Sequence, residues 1–268
     1  MTLQLPDLVT GWQKLELEQA QVVMHASLSS LGPVEGGAGT VIQSLLEVFP
    51  VIMAPTFTYK SMVIPQVGPP GNGMEYGSGA NQNRMAEFFT PDMPADPLMG
   101  ILPETLRLQP AAKRSAHPIL SFSGVGVEKY LSTQSLVEPL APLRLMEEDN
   151  GWVLLIGVNH TVNTSIHAAE RLAGRRTFIR WALTPNGVIE CPGFPPCSAG
   201  FNAIATEMDR YTRQAQVGTT HVCAVPMKML FKVVMSRIRQ DPLAFLCQDE
   251  DCERCRAIRD TVLMKGGL

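Results

Sequence analysis

Apolar residues along this chain alternate between short β-branched runs and longer stretches of helical period. Gln13–Gln19 is polar and built of helix formers. Val22-Val23-Met24 reads as a short buried strand, followed by the small, hydroxyl-rich stretch His25–Gly32 and by Gly36-Gly37. Thr40 is placed to cap a helix over Val41–Val48, and Val51–Pro55 reads as a second strand. Helix, strand, loop, helix, strand is an α/β opening. Ile101–Leu108 has helical spacing, and Ile119–Val127 is strand-like with glycine breaks. Gly151–Val158 is the clearest strand, and its two-sided apolar run predicts a central strand covered on both faces. A helix over Ile166–Leu172, a hairpin arm over Phe178–Leu183 turning at Pro185-Asn186-Gly187, and an amphipathic helix over Met227–Ile238 follow. The predicted fold class is α/β: a central mixed β-sheet flanked by helices, with a smaller C-terminal sheet and helix extension.

Composition narrows the function classes. The 268 residues suit one large α/β domain, so a single domain over 1–268 is expected, with a Cys-rich tail over 240–268. With 45% hydrophobic and 18% charged residues the chain is globular rather than disordered. A net charge of -3 gives no general attraction to nucleic acid or anionic lipid, so neither is an expected partner. No apolar run is long enough to span a bilayer. Met1–Glu18 lacks a basic region followed by an apolar block, and a cytoplasmic location is expected. Residues 65–84 crowd proline and glycine into a loop long enough to serve as a lid or substrate loop.

Three segments could carry chemistry. In Gly157–Glu170 a buried strand ends in a polar loop that opens a helix, the place where α/β sheets bind ligands. His167 and Glu170 stand three apart and share a helical face. A carboxylate beside an imidazole fixes its tautomer, which suits a general base. The same spacing also describes an ordinary surface His–Glu pair. Asn163, Thr164 and Ser165 add donors near the helix start. The second segment, His25–Gly32 with Gly36-Gly37, has small residues that let backbone amides approach a phosphate or an amide. The third is Lys113–Pro118 with Ser121–Gly126, whose adjacent cations could neutralise phosphates or form a solvated turn.

Together these segments resemble the antibiotic N-acetyltransferase family, typified by the aminoglycoside 3-N-acetyltransferases and distinct from the GNAT superfamily. The markers are HASLSSLG (His25–Gly32) with the following glycines, Met99-Gly100, RSAHPILSF (Arg114–Phe122) and LLIGVNHTVNTSIHAAE (Leu154–Glu170). The resemblance runs from about Gln21 to about Gly174. It implies acetyl-CoA as cosubstrate and an amine of an aminoglycoside-like small molecule as acceptor. It implies that coenzyme A is held by His25, Ser27, Leu28, Ser30, Leu31 and Gly32, and by Arg114, Ser115, His117, Ser121 and Phe122. It places His167 and Glu170 at the reaction centre, with Thr164 as a donor to the oxyanion. An enzyme acylating a non-aminoglycoside amine, and a non-catalytic coenzyme- or partner-binding protein using the Cys-rich tail, are the alternatives. A polycationic acceptor calls for several carboxylates, and few acidic residues stand in the loops that could supply them.

The cysteines lie outside these markers. Cys247, Cys252 and Cys255 have C-x4-C-x2-C spacing, and Cys191 and Cys197 lie upstream in a turn-rich stretch. Cys191 with the C-terminal trio could hold a structural zinc, and Cys197 is the other upstream candidate. Free thiols in a solvated tail are the alternative.

Overall fold

The computed structural model describes residues 2–266. Its strands are β1 (Gln21–Ala26), β2 (Val51–Pro55), β3 (Met62–Val63), β4 (Lys113–Arg114), β5 (Phe122–Val125), β6 (Trp152–Ile156), β7 (Phe178–Thr184), β8 (Gly187–Phe194), β9 (Arg213–Val217) and β10 (Thr220–Pro226). Seven form one sheet in the order β4-β5-β2-β1-β6-β10-β9, and β3-β7-β8 form a second, smaller sheet. β1 runs parallel to β2 and to β6, whereas β5 against β2 and β10 against β6 are antiparallel. The sheet is therefore mixed, as predicted.

The apolar runs of the central strands supply both faces, because side chains alternate along a strand. Val22, Met24, Leu154 and Ile156 face one apolar layer, closed by the helices Leu5–Gln13, Gly37–Val48 and Ile101–Arg107. Val23, Val153 and Leu155 face the other, closed by the helices Ala141–Glu148, Thr164–Leu172 and Met227–Gln240. The crossover from β1 to β2 thus lies on the first face, and the helix leading into β6 lies on the second. Between β1 and β6 the connections diverge, and a crevice opens beyond the carboxyl ends of the parallel strands.

Three expectations change. Of the expected helix over Gln13–Gln19 only Gln13 is helical, because Glu16 and Gln19 adopt left-handed backbone at φ 54° and 69°. The helix lies earlier, over Leu5–Gln13, where Leu8 and Trp12 bury one face and Gln4 and Asp7 form a capping box. The small sheet is not confined to the C-terminal third, since β3 joins it from residues 62–63. The C-terminal segment is no solvated tail. It forms a helix, Glu253–Gly266, that buries Cys255, Ala257 and Ile258.

Candidate active site

The crevice is a cavity of about 810 Å³ lined by His25–Ser29 after β1, Pro55 and Phe57 after β2, and Val158 and Thr161–Thr164 after β6. Gly32, Tyr59, Leu98–Ile101, His167, Phe194–Pro196, Ser198 and Arg254 also line it. Its size suits a cosubstrate and a small acceptor.

The site helix begins at Thr164, two residues earlier than its apolar pattern suggests, because Asn163 caps it. The Ser165 amide donates to Asn163 Oδ1 at 3.1 Å. One turn on, His167 faces the crevice, and its Nδ1 lies 2.8 Å from Glu170 Oε2. The imidazole edge packs on Phe201, with centroids 4.6 Å apart. His167 is 8% exposed and Glu170 1%, so this is a buried pair rather than a surface one. With Nδ1 facing the carboxylate, Nε2 is the nitrogen turned to the cavity.

Glu170 has a second partner that the sequence reading missed. Gly174, at φ 84°, ends the helix in a Schellman motif: the Arg175 amide donates to the Glu170 carbonyl at 2.9 Å and the Gly174 amide to that of Arg171 at 3.0 Å. This reversal brings the Arg175 guanidinium under Glu170, with Nε 3.4 Å from Oε1. Arg175 Nη1 and Nη2 donate to the carbonyls of Pro242 and Ala244 at 2.7 and 2.6 Å. Burial holds the Arg175 guanidinium below its ordinary value, opposed by Glu170. A glycine just past a helix end was the available signal for this residue.

Behind the dyad lie two more histidines. Burial, and then the neighbouring His160, push His25 down to about 3, and its Nε2 is buried without a hydrogen-bond partner among the described residues. His160 is held below its ordinary value by burial, and its Nδ1 accepts from Asn163 Nδ2 at 3.2 Å. Both rings are therefore neutral at pH 7. Gly157, at φ 63°, lets the Ser27–Leu31 turn close against the end of β6, since a Cβ there would collide with Ser30 Oγ.

Of the residues expected to hold coenzyme, His25, Ser27, Leu28 and Gly32 line the cavity. Ser30 and Leu31 do not: Ser30 Oγ donates to the Ser27 carbonyl at 2.7 Å and Leu31 is buried in the core. The side chains of Arg114, Ser115, His117, Ser121 and Phe122 are likewise committed to contacts within the protein. Arg114 donates to Ser121 Oγ at 3.1 Å and to the carbonyls of Thr56, Pro91 and Met93, so it braces a loop rather than offering itself to a phosphate. Ser115 Oγ accepts from the Phe122 amide at 2.9 Å. His117 Nδ1 accepts from the amides of Ile119 and Leu120, Ser121 Oγ donates to the Thr56 carbonyl, and Phe122 packs on Phe57. This segment shapes the cavity through Phe57 and Pro55 without lining it.

The cysteine set also changes. The Sγ atoms of Cys197, Cys247, Cys252 and Cys255 all lie within 4.8 Å of one another. Cys191 is outside the cluster; it lies in β8, where burial pushes its thiol up to about 12. The end of β8 explains the exchange, because Cys191 is buried in the core within the strand while the chain beyond Phe194 leaves it and delivers Cys197 to the C-terminal helix. The residues that cluster brings to the cavity, Pro195, Pro196, Ser198 and Arg254, were not visible as site residues in the sequence.

Among the described residues no helix is long and apolar enough to cross a membrane. The family profile described as aminoglycoside 3-N-acetyltransferase matches residues 23–239. Aminoglycoside N(3)-acetyltransferase IV from Salmonella is 32% identical over a stretch covering 60% of this chain and 60% of that protein's own length. The crystal structure of the aminoglycoside acetyltransferase AAC(3)-IVa apoenzyme superposes with a TM-score of 0.78 at 23% identity, covering 97% of this chain and 98% of that one. The binary complex of AAC-IIIb with coenzyme A gives 0.73 at 23% identity, over 90% and 97%. With its mixed sheet, its strand-end crevice and a profile match across most of its length, the chain belongs to the aminoglycoside 3-N-acetyltransferase family.

Proposed function

We propose that this protein transfers an acetyl group from acetyl-CoA to an amine by direct attack in a ternary complex, with His167 as general base. The observation that carries this reading is the buried His167–Glu170–Arg175 chain at the carboxyl end of β6, opening onto a cavity lined by the His25–Gly32 turn. An ammonium ion has no lone pair to attack with, so the acceptor reacts as the free amine, and its nitrogen loses a further proton as the new C–N bond forms. His167 Nε2 takes that proton, and Glu170 at Nδ1 stabilises the imidazolium that results. Arg175 fixes the Glu170 carboxylate in turn. The thioester oxygen gains negative charge in the tetrahedral intermediate. The Thr164 hydroxyl, on the lining one turn before His167, is the donor assigned to it. Collapse breaks the C–S bond, and the proton held on His167 Nε2 passes to the departing sulfur, so that coenzyme A leaves as a thiol. The location proposed is cytoplasmic, a reducing compartment in which thiols persist.

The four-thiol cluster is assigned a structural zinc. Tetrahedral zinc with Zn–S of 2.3 Å sets its sulfurs roughly 3.8 Å apart, and Cys247 Sγ and Cys255 Sγ are 3.4 Å apart. The thiols come from two separate chain segments, and Arg259 donates to the Cys247 carbonyl beside them. The role is a clamp, because amine acylation needs no metal.

The test is thiol release from acetyl-CoA with a panel of amines that includes aminoglycosides. Release requiring both acceptor and protein is expected. Coenzyme binding with no release for any amine would falsify the acylation reading. Elemental analysis should find about one zinc per chain, and a metal-free sample of undiminished stability removes the clamp.

A further inference from the structure

The charge pattern of the cavity bears on which amine enters it. The titratable side chains of its lining are His25, Tyr59, His167 and Arg254, and among the described residues the lining holds no aspartate and no glutamate. Glu253 faces the neighbouring pocket that Arg254 and Arg180 also line, and two further carboxylates are engaged elsewhere. Glu170 lies beneath His167 and against Arg175. Asp96 accepts from the Leu98 amide at 3.0 Å as a helix cap.

Arg254 is differently placed. Its Nη1 donates to the Pro196 and Pro195 carbonyls at 3.1 and 3.4 Å, and its guanidinium lies 5.8 Å from the centre of the Phe194 ring. These contacts orient the group without neutralising it, since a carbonyl carries no net charge. Behind it the buried guanidinium of Arg180 adds a second positive charge, also stacked near Phe194, at 4.9 Å. Cys252 and Cys255 flank Arg254 in sequence and pin its helical turn to Cys197. An aminoglycoside brings several ammonium groups, and on this lining it would meet fixed positive charge and no carboxylate. An amine whose scaffold also bears a carboxylate would meet a pre-oriented fork for that carboxylate.

We propose that Arg254 is the specificity-determining residue of the acceptor side, and that the acceptor is an amine bearing a carboxylate rather than a polycationic aminoglycoside. The proposal rests on the amine-acylation reading above and narrows its acceptor.

The experiment compares kcat/KM by thiol release for three acceptors with the full chain: L-phenylalanine, phenethylamine, which is the same molecule without the carboxylate, and sisomicin. Wild-type protein is expected to favour phenylalanine over phenethylamine by at least tenfold, with sisomicin weakest. Arg254→Glu should reverse that order and raise sisomicin about tenfold, leaving the Kd for coenzyme A within twofold. Arg254→Gln, a neutral and shorter side chain, should abolish the preference and covers the case in which the glutamate variant does not fold. Sisomicin turned over as well as phenylalanine by the wild type overturns the proposal and leaves acetyl transfer standing. An unchanged order in both variants overturns it too. A tenfold loss of coenzyme affinity in Arg254→Gln overturns it by making a coenzyme phosphate the ligand. Coenzyme binding without release for any acceptor sinks the acylation reading and this proposal together.

Discussion

The two parts of the cavity lining are built by different means. His25–Ser29 and Val158–Thr164 continue directly from paired strands: His25 is opposite Leu155 and Ala26 opposite Ile156 in the parallel ladder of β1 and β6. Their positions follow from backbone hydrogen bonds and from core packing on both faces of the sheet. Pro195–Ser198, past the end of β8, and Arg254 have no such frame. They are irregular chain and a helical turn, held by Arg254 on two proline carbonyls and by the thiol cluster. The groups assigned to bond making stand on the first part, and the group assigned to choosing an acceptor stands on the second. A fold arranged this way can change its acceptor by altering a few cross-links while the reacting groups stay in place.

That contrast can be broken by experiment. The largest effect is expected from His167→Ala, which should lower kcat by about 10²–10⁴-fold with coenzyme affinity almost unchanged; a variant of near wild-type rate would remove the base from the sheet-built side. Next is Arg175→Met. It leaves Glu170 buried with only His167 beside it and should cost about 3–5 kcal/mol in denaturant unfolding, the range for breaking one partner from a buried pair. A cost under 1 kcal/mol would mean that the dyad does not depend on its support. The smallest is a pH effect. Burial lowers His25 to about 3 and His117 to about 4, from an ordinary 6.5. The unfolded chain therefore takes up protons that the folded chain refuses. Stability is complete above pH 6.5 and falls as the pH drops from there towards 4. Thermal unfolding should follow that slope, and His25→Gln should flatten it; a Tm constant from pH 7 to pH 4 would contradict neutral buried rings.

The parts of the site that the sequence revealed share a physical origin. β1, β6 and the helix after β6 are local elements whose apolar periodicity is set by their own burial, and the His167–Glu170 contact is one helical turn. Reading Leu154–Glu170 as strand, loop and helix therefore located the dyad, with an error of two residues at the cap. Arg114 shows the opposite case. Its place in a basic pair suggests a phosphate ligand, but its donors are taken by Thr56, Pro91 and Met93, residues more than 20 positions away. The exchange of Cys191 for Cys197 is of the same kind, because which thiol meets the C-terminal helix depends on where β8 ends. Arg254 acquires meaning only when residues 194–198 are brought to it. Contacts of this sort are set by tertiary packing, which no local period encodes.

The fork of Arg175 has a consequence for how the molecule is made. The carbonyls it grips belong to Pro242 and Ala244, beyond the last long helix of the sheet. The chain as far as Gln240 carries the described strands of both sheets, together with His167, Glu170 and Arg175, but not the carbonyls that hold the far side of the Arg175 fork. The His167–Glu170 contact is local to one helix, whereas the support beneath it closes only when residues 67 and 69 positions further along have docked. During synthesis the pair can therefore form before the brace that holds it.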